Sequence, residues 1–172
     1  MDRMDGLLSR TLAYFTGYPR QIQHLLKVRA FAVLIGKQEN FDECDLARLE
    51  AAGIVHDVGI RAAMERFGRY TARLQEELGP EVARGLMAGW PEEDVERVCW
   101  LVAHHHTLDS IREIDHQALV EADFLVNLYE HDNSREEIER VLATVFKTGS
   151  GKQLCRTVFG LDAPKEGGKA VP

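Results

Sequence analysis

Ala118-Leu119-Val120-Glu121-Ala122-Asp123-Phe124-Leu125-Val126-Asn127-Leu128 is apolar nearly all round when wound as a helix, so it reads as a helix buried on every side. Strand signals are almost absent elsewhere, and helical periodicity runs through nearly the whole chain. The fold class that follows is all-α, a compact multi-helix globule of about ten helices rather than a simple four-helix bundle. Asp123 sits in the middle of this helix. An unpaired carboxylate there would cost several kcal/mol, roughly, or would have to be neutralised. It therefore requires a partner: an arginine, a helix N-terminus or a metal ion.

Working outward, the neighbouring helices are set by their starts and stops. A first helix is expected over about Asp5 to Thr16, broken by Gly17-Tyr18-Pro19. Pro19 suits the first turn of a second helix running to about Gly36, where its missing N–H costs nothing. Asp42 is the expected N-cap of a third helix that ends near His56-Asp57-Val58-Gly59. Shorter helices follow, with breaks expected at Gly68 and at Gly79-Pro80. Pro91-Glu92-Glu93-Asp94 opens a helix that reaches about His105, because acids suit the positive end of the helix dipole. The buried helix itself spans roughly His116 to Tyr129, and Ser134-Arg135-Glu136-Glu137 matches a capping box. A single domain over residues 1–163 is expected, followed by a flexible Gly/Lys/Pro-rich tail at 164–172.

The composition is that of an ordinary globular protein, with 45% apolar and 28% charged residues among 172. No apolar run approaches the roughly 20 residues of a membrane span. The acidic N-terminus does not read as a signal peptide, so the expected location is cytoplasmic. Cys44, Cys99 and Cys155 are odd in number and widely spaced, which reads as free, mostly packed thiols. A formal charge of −7 argues against nucleic acid as a partner but not against a small anionic substrate, because a local cation can dominate the field of a cleft. Nothing in the sequence fixes the oligomeric state.

The seven histidines are unevenly placed. With Leu49 at angle zero and 100° per residue, Leu46, Gly53 and His56 fall within about 60° of it. His56 thus points the way of the apolar face, with Asp57 beside it; a buried, hydrogen-bonded histidine with Asp57 as a cap is the plainer reading of this pair alone. In His104-His105-His106, the same arithmetic from Val98 aims His105 inward, leaves His106 near the edge of the face and turns His104 away. Periodicity does not place His24. A second His-Asp dipeptide, His131-Asp132, runs into a polar turn and reads as surface.

The order His24, His56-Asp57, Asp123 resembles the HD superfamily of metal-dependent phosphohydrolases. The likeness rests on Gln23-His24-Leu25-Leu26-Lys27-Val28, Ala52-Gly53-Ile54-Val55-His56-Asp57-Val58-Gly59, Val102-Ala103-His104-His105 and Glu121-Ala122-Asp123-Phe124-Leu125-Val126, and covers about residues 20–130. It implies that His24, His56, Asp57 and Asp123 are ligands of one divalent metal ion, of the borderline kind exemplified by manganese, iron, cobalt, nickel and zinc. It further implies hydrolysis of a phosphate ester of a nucleotide or similar small molecule by metal-activated water, with Asp57 positioning the water. His105, with His104, would bind phosphate or protonate the leaving oxygen. The alternative is a metal- or nucleotide-binding regulatory domain of the same fold without significant turnover.

Three departures matter. Members with two or three metals need an extra histidine; its place falls near Gln75-Glu76-Glu77-Leu78-Gly79, and residues 57–103 contain none, so one metal is favoured. Many members have lysine directly after His-Asp-x-Gly; here Ile60 and Arg61 follow, and Arg61 is the candidate for the phosphate contact. No Gly-Tyr-Pro follows the histidine run, unlike the cyclic-dinucleotide phosphodiesterases. Gly149-Ser150-Gly151-Lys152-Gln153 lacks the first glycine, the Ser/Thr and the preceding strand of a phosphate-binding loop, and reads as a helix start.

Overall fold

In a computed structural model, residues 2–162 are described; the expected tail at 164–172 lies outside them. The described residues form α1 (Arg3–Tyr14), α2 (Pro19–Gln38), α3 (Glu43–Val55), α4 (Gly59–Phe67), α5 (Ala72–Leu86), α6 (Glu92–His104), a 3₁₀ turn (Leu108–Ser110), α7 (Ile114–Glu130), α8 (Arg135–Thr144) and α9 (Gly149–Phe159). Among them there is no strand, and no helix is long and apolar enough to cross a membrane.

Local chemistry accounts for several helix ends. The Asp42 side chain accepts from Asp45 N at 2.8 Å and opens α3, and Ser134 and Glu137 form a reciprocal capping box on α8. Pro91 precedes α6, whose first turn carries Glu92, Glu93 and Asp94. Gly68 closes α4 at φ 67°, a left-handed conformation that glycine adopts at little cost.

The break expected at Gly79-Pro80 does not occur; both residues lie inside α5. Glycine at 79 serves packing instead. A Cβ there would stand 2.7 Å from Val102 Cγ1, so the bare backbone lets α5 lie close to α6. The proline removes one helical N–H, and its own carbonyl accepts from the Cys99 thiol at 3.3 Å.

The core is organised around α7. Ala118, Leu119, Val120, Ala122, Leu125 and Val126 are all buried, as expected of a helix apolar all round. α2 packs on it and α3 wedges between α6 and α7, contributing Leu25, Val28, Ile35, Leu49 and Ile54 to one continuous cluster. Cys99 and Cys155 are buried free thiols and Cys44 is an exposed one.

α7 also buries a second carboxylate. Glu121 is fully enclosed and accepts from Gln117 Nε2 (2.7 Å), Lys147 N (2.5 Å), Thr148 N (2.9 Å) and the Thr148 hydroxyl. Four donors satisfy a charge that burial alone would forbid. They also tie α7 to the start of α9, where the Thr148 hydroxyl caps Gly151 N at 2.9 Å. The Gly149-Ser150-Gly151 turn is thus the beginning of a helix whose space is filled by Glu121.

Candidate metal centre

Four elements deliver the chemistry to one place. α2 carries His24, the end of α3 carries His56 with Asp57 in the following turn, the end of α6 leads into His105 and His106, and α7 carries Asp123. His24 Nε2 lies 3.0 Å from Asp123 Oδ1, 3.2 Å from His56 Nε2 and 3.6 Å from Asp57 Oδ2. His56 Nε2 lies 3.6 Å from both Asp57 Oδ2 and Asp123 Oδ1. The other oxygen of Asp57 faces His105 Nε2 at 3.5 Å. Asp57 therefore stands between two groups: His24, His56 and Asp123 on one side, His105 and His106 on the other.

One device aims two of the imidazoles. His56 Nδ1 donates to Gly53 O at 3.1 Å and His105 Nδ1 donates to Val102 O at 2.8 Å, each to a carbonyl three residues back at a helix end. Both rings are thereby fixed with Nε2 facing inward, that of His56 placed as a donor to a cation. His105 Nε2 is fully buried and makes no hydrogen bond, which is a polar atom waiting for a partner.

His24 is held differently. Its Nδ1 donates to Glu130 Oε2 at 3.0 Å, and Glu130 is in turn paired with Lys27 at 2.5 Å. Burial opposes charge on His24, but its hydrogen bond to Asp123 and the charge of Asp57 together outweigh it and raise its pKa to about 9. Burial likewise pushes the Asp123 carboxyl upward, yet its bonds to His24 and His56 hold it well below the usual range. For His106, burial and the neighbouring His105 act in the same direction and lower its pKa to about 4.

Two nitrogens from His24 and His56 and carboxylates from Asp57 and Asp123 make a donor set suited to a borderline divalent cation. The bond that His24 Nδ1 donates to Glu130 is the outer support such a ligand needs: it keeps the proton on Nδ1 and leaves Nε2 for the ion. Replacing Glu130 with glutamine is expected to weaken metal affinity by about 10–100-fold, read by chelator competition, with the helical circular dichroism unchanged.

The remaining expected residues fall elsewhere. His104 does not reach the cluster: its ring stacks on Trp100 at 4.3 Å and its Nδ1 donates to Trp100 O at 2.7 Å. His106 takes the inward place, its Nε2 3.1 Å from Gln75 Oε1. Arg61 also turns away, donating to Glu65 Oε1 at 2.7 Å and to the Tyr14 carbonyl, so it is not positioned for a phosphate contact. His131 is exposed, as a surface residue should be, but it stands at the rim of the cleft over the cluster. Glu130, Gln75 and His106 join the site without being among the expected site residues.

A cleft of about 210 Å³ opens over His24, Asp57 and Asp123, with Arg20, Tyr70 and Asn127 among its walls. Comparison with known families matches the HD domain over residues 22–144. No curated protein and no solved structure gives a significant match to the chain. With that match spanning most of the chain and the His/Asp cluster in place, the chain belongs to the HD superfamily of metal-dependent phosphohydrolases.

Proposed function

We propose that this protein hydrolyses a phosphate ester of a nucleotide or similar small molecule at the His24, His56, Asp57 and Asp123 centre. The observation that carries the reading is the convergence of these four side chains from three helices, at 3.0 to 3.6 Å, beneath an open cleft. A divalent cation bound there would supply a lowered water pKa and a polarised phosphoryl group.

The chain's own groups divide the remaining work. Asp57, with one oxygen toward each half of the cluster, orients the attacking water by accepting its hydrogen. His105 is the acid: burial opposes its charge, but Asp57 and the charge of Asp123 raise its pKa, so a proton on Nε2 is available to the leaving oxygen. The buried aliphatic surround of α3 and α7 limits competing water. The complete ligand set favours turnover over a purely regulatory role.

The test is a double variant, His56→Ala with Asp57→Ala, beside the unaltered protein. About one first-row metal per chain is expected in the unaltered protein by mass spectrometry, with release of phosphate from aryl phosphates or nucleotides in added manganese. Both should vanish in the variant. Metal retention without turnover on any ester would move the assignment to the regulatory alternative, and absence of metal after reconstitution would end it.

A further inference from the structure

The wall of the cleft carries one feature that the hydrolytic centre does not use. Arg20 lies in the first turn of α2, one turn ahead of the metal-ligating His24 on the same helix face, and it lines the cleft. Its placement is electrostatically unfavourable for the helix, since the N-terminal end of the dipole disfavours a cation. No carboxylate among the described residues lies within ion-pair reach of it, whereas Arg29, Arg48, Arg61, Arg84 and Arg97 all have such partners. The other charges at the cleft are committed: Glu130 to Lys27 and His24, and Asp57 and Asp123 to the imidazoles. Arg20 is thus a permanent, uncommitted cation facing the space above the centre.

The size of that space limits what it can receive. About 210 Å³ is below the roughly 300–1,000 Å³ of a typical small-molecule pocket. A terminal phosphoryl group enters such a cleft end-on. A phosphodiester needs room for an ester group on both sides of phosphorus. A monoester also presents three non-bridging oxygens, enough to engage the floor of the site and still offer an edge to a planar guanidinium fork.

We propose that Arg20 is a specificity-determining residue that clamps the terminal phosphoryl group of the substrate and makes the protein a phosphomonoesterase. The inference rests on the hydrolytic reading of the same site. Arg20 acts on binding more than on bond cleavage, because the oxygens it holds are present in the free substrate.

The experiment uses the full metal-loaded protein, with Arg20→Gln, Arg20→Lys, and the remote exposed Arg140→Gln as a control for net charge. Calorimetry with inorganic phosphate is the direct probe. Steady-state kinetics on p-nitrophenyl phosphate and bis-p-nitrophenyl phosphate give the second readout. Arg20→Gln is expected to weaken phosphate binding by about 10–100-fold and to raise KM for the monoester by a similar factor, with kcat changed less than about threefold. The residual diester rate should not change, and lysine should restore part of the affinity as a point charge without the fork. Metal content and Tm should match the unaltered protein, since the side chain is exposed and bonds to nothing described. Phosphate affinity that is unchanged in Arg20→Gln, or equal losses on both esters, would overturn the clamp. Arginine-dependent phosphate binding without hydrolysis of either ester would leave the clamp standing and defeat the hydrolase reading instead. A metal-loaded protein that binds no phosphate at all would defeat both.

Discussion

Asp123→Ala is expected to abolish metal retention and, with it, phosphate release. Removing even an outer support of a metal ligand costs about 10–100-fold in affinity or activity, and Asp123 contributes a ligand oxygen directly, so the loss should exceed that range. The change should also be visible without metal. Asp123 is 4% exposed and, like Asp57, is a carboxylate that His24 and His56 share, here at 3.0 and 3.6 Å. Its removal leaves two imidazole nitrogens facing each other at 3.2 Å with no anion on the α7 side. Breaking a buried charged pair by deleting one partner costs about 3–5 kcal/mol. Urea denaturation of both proteins in excess chelator reads this number. Equal stability of the two metal-free proteins would mean that Asp123 does not hold the histidines together.

Gly59→Ala should be strongly damaging for a single added methyl. An added Cβ would meet Gln75 O at 2.5 Å, Gln75 Cα at 2.8 Å and Gln75 C at 3.0 Å. All three are backbone atoms of α5, so no side chain can swing aside, and α4 must lift from α5. Overpacking of this kind costs about 1–3 kcal/mol and occasionally more, and the backbone contact places this site at the upper end. For a chain of this length about 3 kcal/mol lowers Tm by about 6–12 °C. Activity should fall further than stability implies. Gly59 lies two residues after Asp57, and the displaced residue, Gln75, faces His106 across the cleft. Gly85→Ala is the contrasting variant: it lies in α5 with open space where the methyl would go, and it should be neutral or stabilising by up to about 1 kcal/mol. Scanning calorimetry of the three metal-free proteins separates the two cases.

The sequence made some of this legible and hid the rest for physical reasons. Asp42 and Ser134 cap their helices because capping is decided within four residues, and a local rule reads a local event. His56 and His105 could be aimed by angle because both sit at the last helical turn, where 100° per residue still applies. That angle leaves His106 only at the edge of the face, since α6 ends at His104 and the residue enters the cleft from the turn beyond it. The same arithmetic turned His104 outward, and its stacking on Trp100 agrees; only family likeness had drawn it into the site. Arg61 was drawn in the same way, and its guanidinium is taken by Glu65 and the Tyr14 carbonyl. Glu130 carries no local mark, because its partner His24 is 106 residues away. Gly79-Pro80 reads as a break yet lies within α5, because a glycine demanded by packing and a glycine demanded by a turn look the same in a sequence.

Glu121 has a consequence for how much chain the site requires. The family likeness stops at residue 144, while α9 begins at Gly149. Yet three of the four donors that neutralise Glu121 come from Lys147 and Thr148, and Glu121 stands two residues from Asp123 on the same helix. A fragment trimmed to the recognisable interval would strand a buried anion next to the turn that positions a metal ligand. The segment by which ancestry is recognised is therefore shorter than the segment that must be synthesised for the centre to hold its shape, and fragments or fusions should be cut beyond α9.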